Sequence, residues 1–502
     1  ARREQTMHQE TGRPVTYEEF GARGDGVGDD LAAIQAAHEL ANAEGRPVRG
    51  RPDATYHLGA RALTVRIATD TDWGTSRFTI DDTAVENHRA PLFEVVSRLA
   101  PEPLRLERLS RDQRSVEARP SRDCYVRVED ARRKRFIRRG LNRSDGSAQQ
   151  DCFILRRDGT IEGDIDWDYP DGFTAIEARP LDDAPLVLRG GVFTTFANRM
   201  RQEVGYNYWA RNIAVSRSNT EIRELTHYVA GETAVGHPYG GFVSIRHCAN
   251  ATLRDCFASG HKIYRTIGAA GRPVSMGSYD YSANGVVNLR LIGCRMNHIL
   301  DRTRWGVIGT NFCKNILLED CVLSRMDTHM GVSGAYAVRR CTLGHMGLNA
   351  IGRGELTIED STLYGNTLVS FRADYGSTWD GALRVRNCRW IPACGDPVRP
   401  VLIGANNDGM HDFGYPCGLP REIEIEGLYV DDRNAPDDYE GPCLFGDPHR
   451  SLDGRDDLPP PAQRPFPYAP CRRAVVRGFA AARGKPLRLS EAPGIETELV
   501  RI

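Results

Sequence analysis

The most regular pattern along the chain is a short apolar strand that ends in a cysteine at a polar turn. It occurs in the segments NATLRDC, VNLRLIGC, NILLEDC, AYAVRRC, ELTIEDS and ALRVRNC. Their last residues, which lie 38, 27, 20, 20 and 27 positions apart, are Cys256, Cys294, Cys321, Cys341, Ser361 and Cys388. A variable repeat of this length predicts the coils of a solenoid, with loop insertions between some of them.

Within these strands apolar residues recur at alternate positions. Ile316 and Leu318 come before Glu319, and Leu356 and Ile358 flank Thr357. A period of two places alternate side chains inside, so we expect stacked parallel strands, one in each coil. The 13 cysteines include no paired C-x-x-C motif. We therefore expect most of them to pack in the core as small side chains, without forming disulfides or binding zinc.

A helix is predicted ahead of the coils, in the segment FGARGDGVGDDLAAIQAAHELANAEGRPV at 20–48. Asp29 or Asp30 can cap its amino end, and Gly45 ends it. The residues that share one apolar face are Leu31, Ile34 and Ala41. We expect this helix to cap the first coil, since an open solenoid end would expose apolar side chains and unpaired strand edges.

The remaining pattern divides the chain into four regions. Residues 1–60 form the cap region with its helix, and residues 61–185 form the first coils with a β-rich insertion. Residues 186–395 form the central coils that carry the active-site groove, and residues 396–502 form the last coils. The last region contains the Pro-rich segment SLDGRDDLPPPAQRPFPYAP, which is predicted to be a loop because proline cannot join a strand ladder.

Charge and hydropathy narrow the classes of partner. The 502 residues include 66 basic and 67 acidic side chains, giving a net charge of −1, which argues against nucleic acid as a partner. Mean hydropathy is −0.46, and no apolar run reaches the length of about 18 residues that a membrane span needs. The chain begins with Ala, as a mature chain without its leader would, so we expect a secreted or periplasmic location. These patterns do not indicate an oligomeric state.

The G-D-G-x-x-D-D helix start and the Cys-ended strands that follow it resemble the pectate-lyase-like superfamily. The resemblance implies an all-β fold, namely a single-stranded right-handed parallel β-helix with an N-terminal capping α-helix. It covers most of the chain. The superfamily includes polygalacturonases, other glycoside hydrolases, polysaccharide lyases and phage tailspikes, so the resemblance implies a carbohydrate polymer as partner, and the reaction must be inferred from the site.

Side chains at similar distances beyond successive ladder positions should become neighbours in a groove. Glycoside hydrolysis needs one carboxylic acid and one carboxylate, and we expect Asp301 and Asp327 to provide them, with His329 and His345 tuning their protonation. The two aspartates lie seven and six positions beyond Cys294 and Cys321, so about one strand spacing of ~4.8 Å would separate them. The predicted substrate-binding residues are His261, Lys262, Tyr264, Asp280, Arg304, Trp305, Asn349, Arg372, Asp374, Tyr375 and Trp379.

The order of these groups loosely resembles the polygalacturonase arrangement of paired aspartates, a G-H-G and an R-x-K. Here His345 lies in G-H-x-G and Arg372 lies in R-x-D, so the second glycine comes one position late and Asp374 replaces a basic residue. From the stacking of the coils we expect Arg372 and Asp374 to bind sugar hydroxyls or a carboxylate. We expect Trp305 or Tyr375 to stack on a sugar face, and Lys262 and Asp280 to form a neighbouring subsite.

Two alternatives to hydrolysis remain open. A lyase acting on a uronate polymer needs a base beside a charge-neutralising group, and Lys262 with Tyr264 or Arg372 would suit that role. A tailspike or adhesin would bind the glycan without cleaving it. The groove has no compact carboxylate cluster for calcium, so no metal or cofactor is expected. The segment THYVAGETAVGHPYGGF, with His227, Glu232 and His237, is interpreted as a substrate-binding loop because its spacing differs from H-E-x-x-H.

Overall fold

The computed structural model describes residues 12–59, 63–83, 85, 87–138, 143–197, 208–232, 238–267, 273–406, 412–448, 469–492 and 495–502. These residues form one large sheet of 30 strands, a four-stranded antiparallel sheet and a two-stranded sheet. The strands of the large sheet pair in parallel, each with the strand one coil before and one coil after it. The predicted parallel β-helix is therefore confirmed as the architecture of this chain.

The elements have the following bounds. The strands up to the arm are β1 Val15–Thr16, β2 Asp25–Asp29, β3 Val48–Arg49, β4 Thr55–Leu58, β5 Val65–Ile67, β6 Thr71–Asp81 and β7 Phe93–Val95. The next are β8 Cys124–Arg135, β9 Ser147–Leu155, β10 Ile161–Glu162, β11 Ala175–Pro180, β12 Leu186–Phe196, β13 Ile213–Val215, β14 Thr220–Arg223, β15 Thr226–Ala230, β16 Gly240–Arg254, β17 Phe257–Ala258, β18 Tyr264–Ile267 and β19 Pro273–Met276. The central coils contain β20 Tyr279–Ile292, β21 Arg295–Met296, β22 Val307–Asn311, β23 Lys314–Glu319, β24 Val322–Met330, β25 Ser333–Arg339, β26 Thr342–Ala350, β27 Gly352–Glu359, β28 Thr362–Leu363, β29 Thr367–Phe371 and β30 Trp379–Trp390. The last strands are β31 Val401–Gly404, β32 Glu422–Val430, β33 Cys443–Phe445, β34 Arg473–Arg477, β35 Ala480–Ala481 and β36 Glu498–Arg501; the helices are α1 Leu31–Glu44 and three 3-10 turns at Glu18–Phe20, Ala373–Tyr375 and Pro392–Gly395.

The cysteine ladder lies in the core, at the turn where each long strand ends. The residue before the ladder position has a positive φ, as in Asp320 (54°) and Asp360 (49°), a conformation that Asp tolerates better than most residues. The ladder continues from coil to coil, because the Cys321 N–H donates to Cys341 Sγ and the Cys341 N–H donates to Ser361 Oγ. All 13 cysteines are free thiols and 11 of them are buried, so the prediction that most are small core side chains is confirmed.

A second ladder, of asparagine side chains, fixes the stacking at another turn of the coils. The Nδ2 of Asn250 donates to Asn219 at 2.8 Å, that of Asn288 to Asn250 at 2.8 Å, and that of Asn315 to Asn288 at 3.0 Å. All four have a positive φ, between 54° and 62°. Asparagine suits such a turn because its amide can donate to one coil and accept from the next.

Helix α1 has the predicted bounds. The Leu31 N–H donates to Asp29 Oδ1 at 3.1 Å, and Gly45 ends the helix with a φ of 71°. The buried residues, which include the predicted apolar face, are Leu31, Ile34, Ala37, His38 and Ala41. The helix packs against β1, β3, β4 and β5, and its role as a cap stays a prediction. No helix of the described ranges is long and apolar enough to span a membrane.

The four-stranded sheet, in the order β10-β9-β8-β11, lies in the stretch where the insertion is expected. We call residues 124–180 the arm. The arm has its own apolar core and rests on the β-helix, where the Tyr125 hydroxyl donates to the Gly285 carbonyl at 2.6 Å. Gly285 has a φ of 59°, and a Cβ there would lie 3.2 Å from that hydroxyl, so glycine allows the close approach. The Pro-rich loop at 451–470 lies almost wholly outside the described residues.

One side of the β-helix carries most of the outward polar side chains near the predicted site. We call the outer side of residues 240–246, 279–284, 307–311 and 325–330 the groove face. Its inward column consists of core side chains, namely Val243, Tyr281, Ile308 and Met326 in neighbouring coils. The adjacent outward column is small or polar, namely Ser244, Ser282, Gly309 and Asp327. Strand alternation thus builds a polar surface directly above the core.

Candidate functional site

A cleft of about 260 Å³ opens on the groove face. The side chains that line it are Tyr208, Arg246, Tyr279, Ser282, Asn284, Asn311 and His329. Three of them come from one register of the sheet, since Arg246 pairs with Asn284 and Asn284 pairs with Asn311. None of the described residues that line this cleft carries a carboxylate. The cleft is therefore polar, with a cationic, an imidazole and a phenolic group.

His329 is the predicted catalytic residue that lies in this cleft. Its ring stands between two tyrosines, with ring centroids 6.5 Å from Tyr279 and 5.9 Å from Tyr375, both in edge-on contact. Burial lowers the pKa of His329 to about 3, and the nearby Arg372 guanidinium adds to this effect. The imidazole is therefore neutral near pH 7, and it acts as a base only when a bound anion raises this pKa.

Arg246 brings an uncompensated positive charge to the cleft. Its Nε donates to Ser244 Oγ at 3.1 Å, and among the described residues its guanidinium has no carboxylate partner. Asn311, in the same outward register, has an Oδ1 that is buried and without a hydrogen-bond partner. A guanidinium and an open amide are groups that bind a carboxylate and a hydroxyl, respectively.

Two tyrosine rings form a flat wall of the cleft. Tyr208 and Tyr279 stack with centroids 5.9 Å apart and an interplanar angle of 13°. Gly309 lies beneath Tyr279, and a Cβ there would come within 2.9 Å of the ring, so this position must lack a side chain. Burial raises the pKa of Tyr279 to about 12, so its hydroxyl keeps its proton near pH 7.

Asp327 lies below the cleft, and its environment differs from the expected one. Its side chain is 1% exposed, which contradicts our expectation of an exposed groove residue. It accepts hydrogen bonds from Arg372 Nη1 at 2.9 and 3.0 Å and from Asn349 Nδ2 at 3.0 Å, and Arg325 Nη2 lies at 2.9 Å. Burial opposes ionisation, but Arg325 and Arg372 outweigh it and hold the pKa of Asp327 well below its usual range. This carboxylate cannot donate a proton near pH 7.

Arg372 continues the network from Asp327 to the arm. Its Nε and Nη2 bind both oxygens of Asp374, at 3.1 and 2.9 Å, and Arg138 of the loop after β8 lies 2.6 Å from the same carboxylate. The Arg138 guanidinium covers the ring of Tyr375 at 5.0 Å, and Tyr375 is 3% exposed. The arm covers this ring in the described structure, and the expected stacking of Trp305 or Tyr375 on a sugar stays a prediction.

Acid is expected to weaken this network through Asp374. Burial opposes ionisation of Asp374, but Arg372 and Arg138 outweigh it and lower its pKa from 3.8 to about 2. The ionised Asp374 therefore adds stability that is complete above pH 3.8 and is lost as the pH falls through about 2. In urea unfolding at a series of pH values, the stability difference between wild type and Asp374→Asn should shrink across this window. A difference between wild type and Asp374→Asn that stays constant across this window would contradict this assignment.

Asp301 lies in a turn apart from Asp327. Its Oδ1 accepts hydrogen bonds from the N–H and hydroxyl of Thr303, at 2.9 and 2.7 Å, and these bonds lower the pKa of Asp301. His345 supports the same loop, where its Nε2 lies 2.9 Å from the Arg304 carbonyl oxygen. Asp301 and Asp327 thus belong to separate networks, and their pairing as acid and base stays a prediction.

A buried acidic cluster surrounds His261, below the start of β18. Glu232 receives hydrogen bonds from the Tyr264 hydroxyl and from the Lys262 N–H, the latter at 3.0 Å, and its Oε1 lies 2.8 Å from His261 Nδ1. Burial opposes ionisation of Glu232, but His261 outweighs it, and the pKa of Glu232 is lowered. Burial raises the pKa of Asp280 to about 6, and both of its carboxyl oxygens lack a hydrogen-bond partner.

The other predicted binding residues have varied positions. Arg304 donates to the Gly260 carbonyl at 3.0 Å, and Trp305 lies under the Arg325 guanidinium at 5.2 Å. Lys262 is exposed. Trp379 is 0% exposed and donates through Nε1 to carbonyls at 3.2 and 3.1 Å, so substrate does not reach it in this conformation. The buried positions that substrate does not reach directly in this conformation are His261, Tyr264, Asp280 and Asn349.

Several cleft residues escaped the sequence analysis, although a signal for them exists. Arg246, Asn284 and Asn311 each lie ten positions before a ladder cysteine, at Cys256, Cys294 and Cys321. The predicted site residues were sought at the positions that follow each ladder cysteine. The same register argument, applied to the positions before it, finds the three outward polar residues of the cleft. His237 lies outside the described residues, and within the described ranges no group of three or more His, Cys, Asp or Glu side chains could hold a metal ion.

Comparisons with known proteins support the fold. No family model matches the chain. A depolymerase from Klebsiella phage P510, described as specific for the KL64 capsule, is 28% identical over 149 residues. This match covers 25% of our chain and 14% of that protein, so the chain spans only a small part of the relative it matches.

A solved structure matches nearly the whole chain. The tailspike protein gp49 from Pseudomonas phage LKA1 has a TM-score of 0.53 and covers 96% of this chain and 83% of its own, at 14% identity. An identity this low shows the fold alone. The match agrees with the parallel β-helix fold of this chain.

Proposed function

We propose that this chain is a polysaccharide depolymerase that cleaves an acidic polymer by β-elimination. One observation carries the proposal: the cleft on the groove face combines an uncompensated arginine, a neutral histidine and a protonated tyrosine, and none of its described lining residues is a carboxylate. Elimination next to a carboxylate needs a base, an acid and a cation. Hydrolysis by paired carboxyl groups needs groups that this cleft does not contain.

Charge assigns a role to each of the three groups. Arg246 pairs with the substrate carboxylate and stabilises the negative charge that develops when the neighbouring C–H bond breaks. His329 accepts that proton, and the glycosidic C–O bond then breaks as a carbon–carbon double bond forms. Tyr279 donates its proton to the leaving oxygen. The substrate carboxylate also adds a negative charge beside His329, which raises the basicity of the imidazole during the reaction.

The two matched phage proteins support a carbohydrate polymer as substrate. The matched depolymerase from phage P510 is described by the capsule it acts on, and the matched LKA1 protein is a tailspike. Bacterial capsules are polysaccharides, and a cleft with an open arginine favours acidic ones. The proposal extends the sequence interpretation of a carbohydrate-active enzyme, and it places the lyase alternative ahead of the hydrolase.

Hydrolysis is the second candidate, because of Glu232 and Asp280. The pKa of Glu232 is lowered and that of Asp280 is raised to about 6, so near pH 6 one is a carboxylate and the other is half protonated. Opposite shifts in two neighbouring carboxyl groups are typical of a general acid and its partner. Both groups are buried in the described structure, so this candidate needs a change of conformation that exposes them.

Ultraviolet absorbance tests the elimination directly. We expect incubation with alginate, polygalacturonate, hyaluronan and bacterial capsular polysaccharides to yield products with a conjugated double bond from at least one acidic polymer. Neutral dextran should yield none. Reducing ends that appear without this absorbance would overturn the elimination and favour hydrolysis.

Arg246→Gln is expected to weaken both binding and turnover of the acidic polymer. The variant loses a charge-assisted contact of about 1.5–3 kcal/mol, so kcat/KM should fall by roughly one to two orders of magnitude. The matched control is Arg290→Gln. Arg290 is exposed and lies in β20, the strand that pairs with β16, which carries Arg246. Steady-state kinetics should leave the control at the wild-type value. An unchanged kcat/KM for Arg246→Gln would remove Arg246 from the site.

A further inference from the structure

A larger cavity, of about 560 Å³, lies between the arm and the β-helix. Its apolar walls come from both bodies, with Phe136 and Trp167 on the arm and Phe312 and Ile351 on the coils. Tyr415 and Leu419, of the segment before β32, close another side. The cavity therefore has aromatic rings at its surface and room for more than one sugar ring.

The lining of this cavity is strongly cationic. It includes six cations, Arg111, Arg127, Lys314, Arg353, Arg421 and Arg472, against the three carboxylates of Asp151, Asp166 and Asp380. The carboxylates are already occupied, because Lys314 Nζ lies 2.5 Å from Asp151 and 3.3 Å from Asp166, while Arg111 and Arg421 both bind Asp380. Glu129 and Asp112, just outside the lining, also pair with Arg127 and Arg353, so Arg472 is the cation of the lining that favours an anionic ligand.

Two of these arginines have N–H groups that are available to a ligand. Arg472 is exposed, and within the described ranges no carboxylate pairs with it. Arg353 binds Asp112 at 2.6 Å through Nη2, but its buried Nε has no hydrogen-bond partner. An unpaired guanidinium and an unsatisfied buried N–H are groups that an incoming carboxylate or hydroxyl would satisfy.

The cavity adjoins the catalytic cleft along the same strands. Asn284 lines the cleft and the next residue, Gly285, lines the cavity; the same holds for Asn311 and Phe312. In the third coil, His329 lines the cleft and Gly331 lines the cavity. A chain that leaves the cleft past these turns therefore meets the cavity at once.

We propose that this cavity is a distal subsite that holds the adjoining segment of the acidic polysaccharide, with sugar rings against Trp167 and Tyr415 and carboxylates at Arg472 and Arg353. The inference rests on the proposed function for its substrate, and it adds the arm as a second wall of the binding track. It makes cleavage dependent on chain length. Short oligosaccharides use the cleft alone, whereas longer ones also use the arm.

The first test compares chain lengths in steady-state kinetics. With the uronate polymer that the wild type cleaves, Arg472→Gln should raise KM about tenfold for long chains and leave kcat unchanged, because one charge-assisted contact is lost. For disaccharide and trisaccharide substrates, KM should stay the same. The matched control is Arg473→Gln, which removes an adjacent arginine that pairs with Glu498 on the surface at 3.4 Å. Equal effects on short and long chains would overturn the inference.

The second test measures binding without turnover. In the His329→Asn background, long uronate oligosaccharides should change the tryptophan fluorescence, and Trp167→Phe in that background should remove most of this change. Binding of long chains with the same fluorescence change in both proteins would overturn the distal subsite and leave the proposed function intact. A Trp167-dependent response in a protein that proves to be a hydrolase would support the subsite and overturn the elimination. Absence of binding to every acidic chain would overturn both.

Discussion

Replacement of His329 by Asn is expected to lower kcat for the acidic polymer by about 10²- to 10⁴-fold, the usual contribution of a general base. Asn keeps a polar side chain of similar size but cannot accept a proton from carbon. The Tyr279 and Tyr375 rings that flank His329 remain in place, so substrate binding should change little. The measurement is the initial rate of double-bond formation, together with the dissociation constant for a long oligosaccharide.

The control for this variant is His298→Asn. His298 is exposed, lies outside the cleft and has a φ of 52°, a conformation that Asn also adopts. Its rate should equal that of the wild type. If His329→Asn retained full kcat, the imidazole would not be the base, and the proposed chemistry of the cleft would fail with it.

The second large effect is on stability. Asp327→Asn is expected to lower the free energy of unfolding by about 3–5 kcal/mol, because it leaves Arg325 buried without a carboxylate partner and leaves Arg372 with Asp374 alone. Both guanidiniums lie 2.9 Å from the Asp327 carboxylate. An exposed groove aspartate would show almost no change in stability, so the burial of Asp327 decides the expected effect.

Asp301→Asn is the matched control for stability. Its side chain is 38% exposed and binds only within its own turn, so the change should stay within about 0.5 kcal/mol. Urea unfolding followed by tryptophan fluorescence gives both values. A midpoint for Asp327→Asn equal to that of the wild type would show that the two arginines do not depend on this carboxylate. Activity lost without any loss of stability would return Asp327 to the role predicted from sequence.

The pattern of apolar residues in the strands predicts the fold well, because it shows which side chains point into the core. The cysteine at each coil turn is visible in the sequence since only a small side chain fits where Cys321 and Cys341 stack. Helix α1 is equally visible, because Asp29 and Gly45 mark its ends. The asparagine ladder could have been predicted in the same way, from a residue type that recurs at one turn of the coils. Its amides lie at a different turn from the cysteines.

The site is less accessible to sequence reasoning, because the arm decides which groove residues are covered. Tyr375 belongs to the coil turns by sequence position, yet Arg138, more than two hundred residues earlier, lies over its ring. Trp379 likewise enters the core although it follows the same turn. Periodicity fixes the neighbours within the solenoid, but it does not fix how an insertion packs upon it.

The charges of the site also depend on contacts that no spacing reveals. Asp327 carries the residue type of a general acid, but two arginines from different coils keep it ionised. His329 is neutral because of burial and the nearby Arg372. Residue type alone therefore favoured a hydrolase, whereas the environment of each group favours elimination.

The most direct test of this account is the mass of the products formed from the cleaved acidic polymer in ¹⁸O-labelled water. The account predicts products without ¹⁸O, one of them carrying a double bond at its new non-reducing end and therefore lighter by one water than the hydrolytic product. Saturated products that carry ¹⁸O at the new reducing end would contradict elimination in the His329 cleft and would direct attention to Glu232 and Asp280.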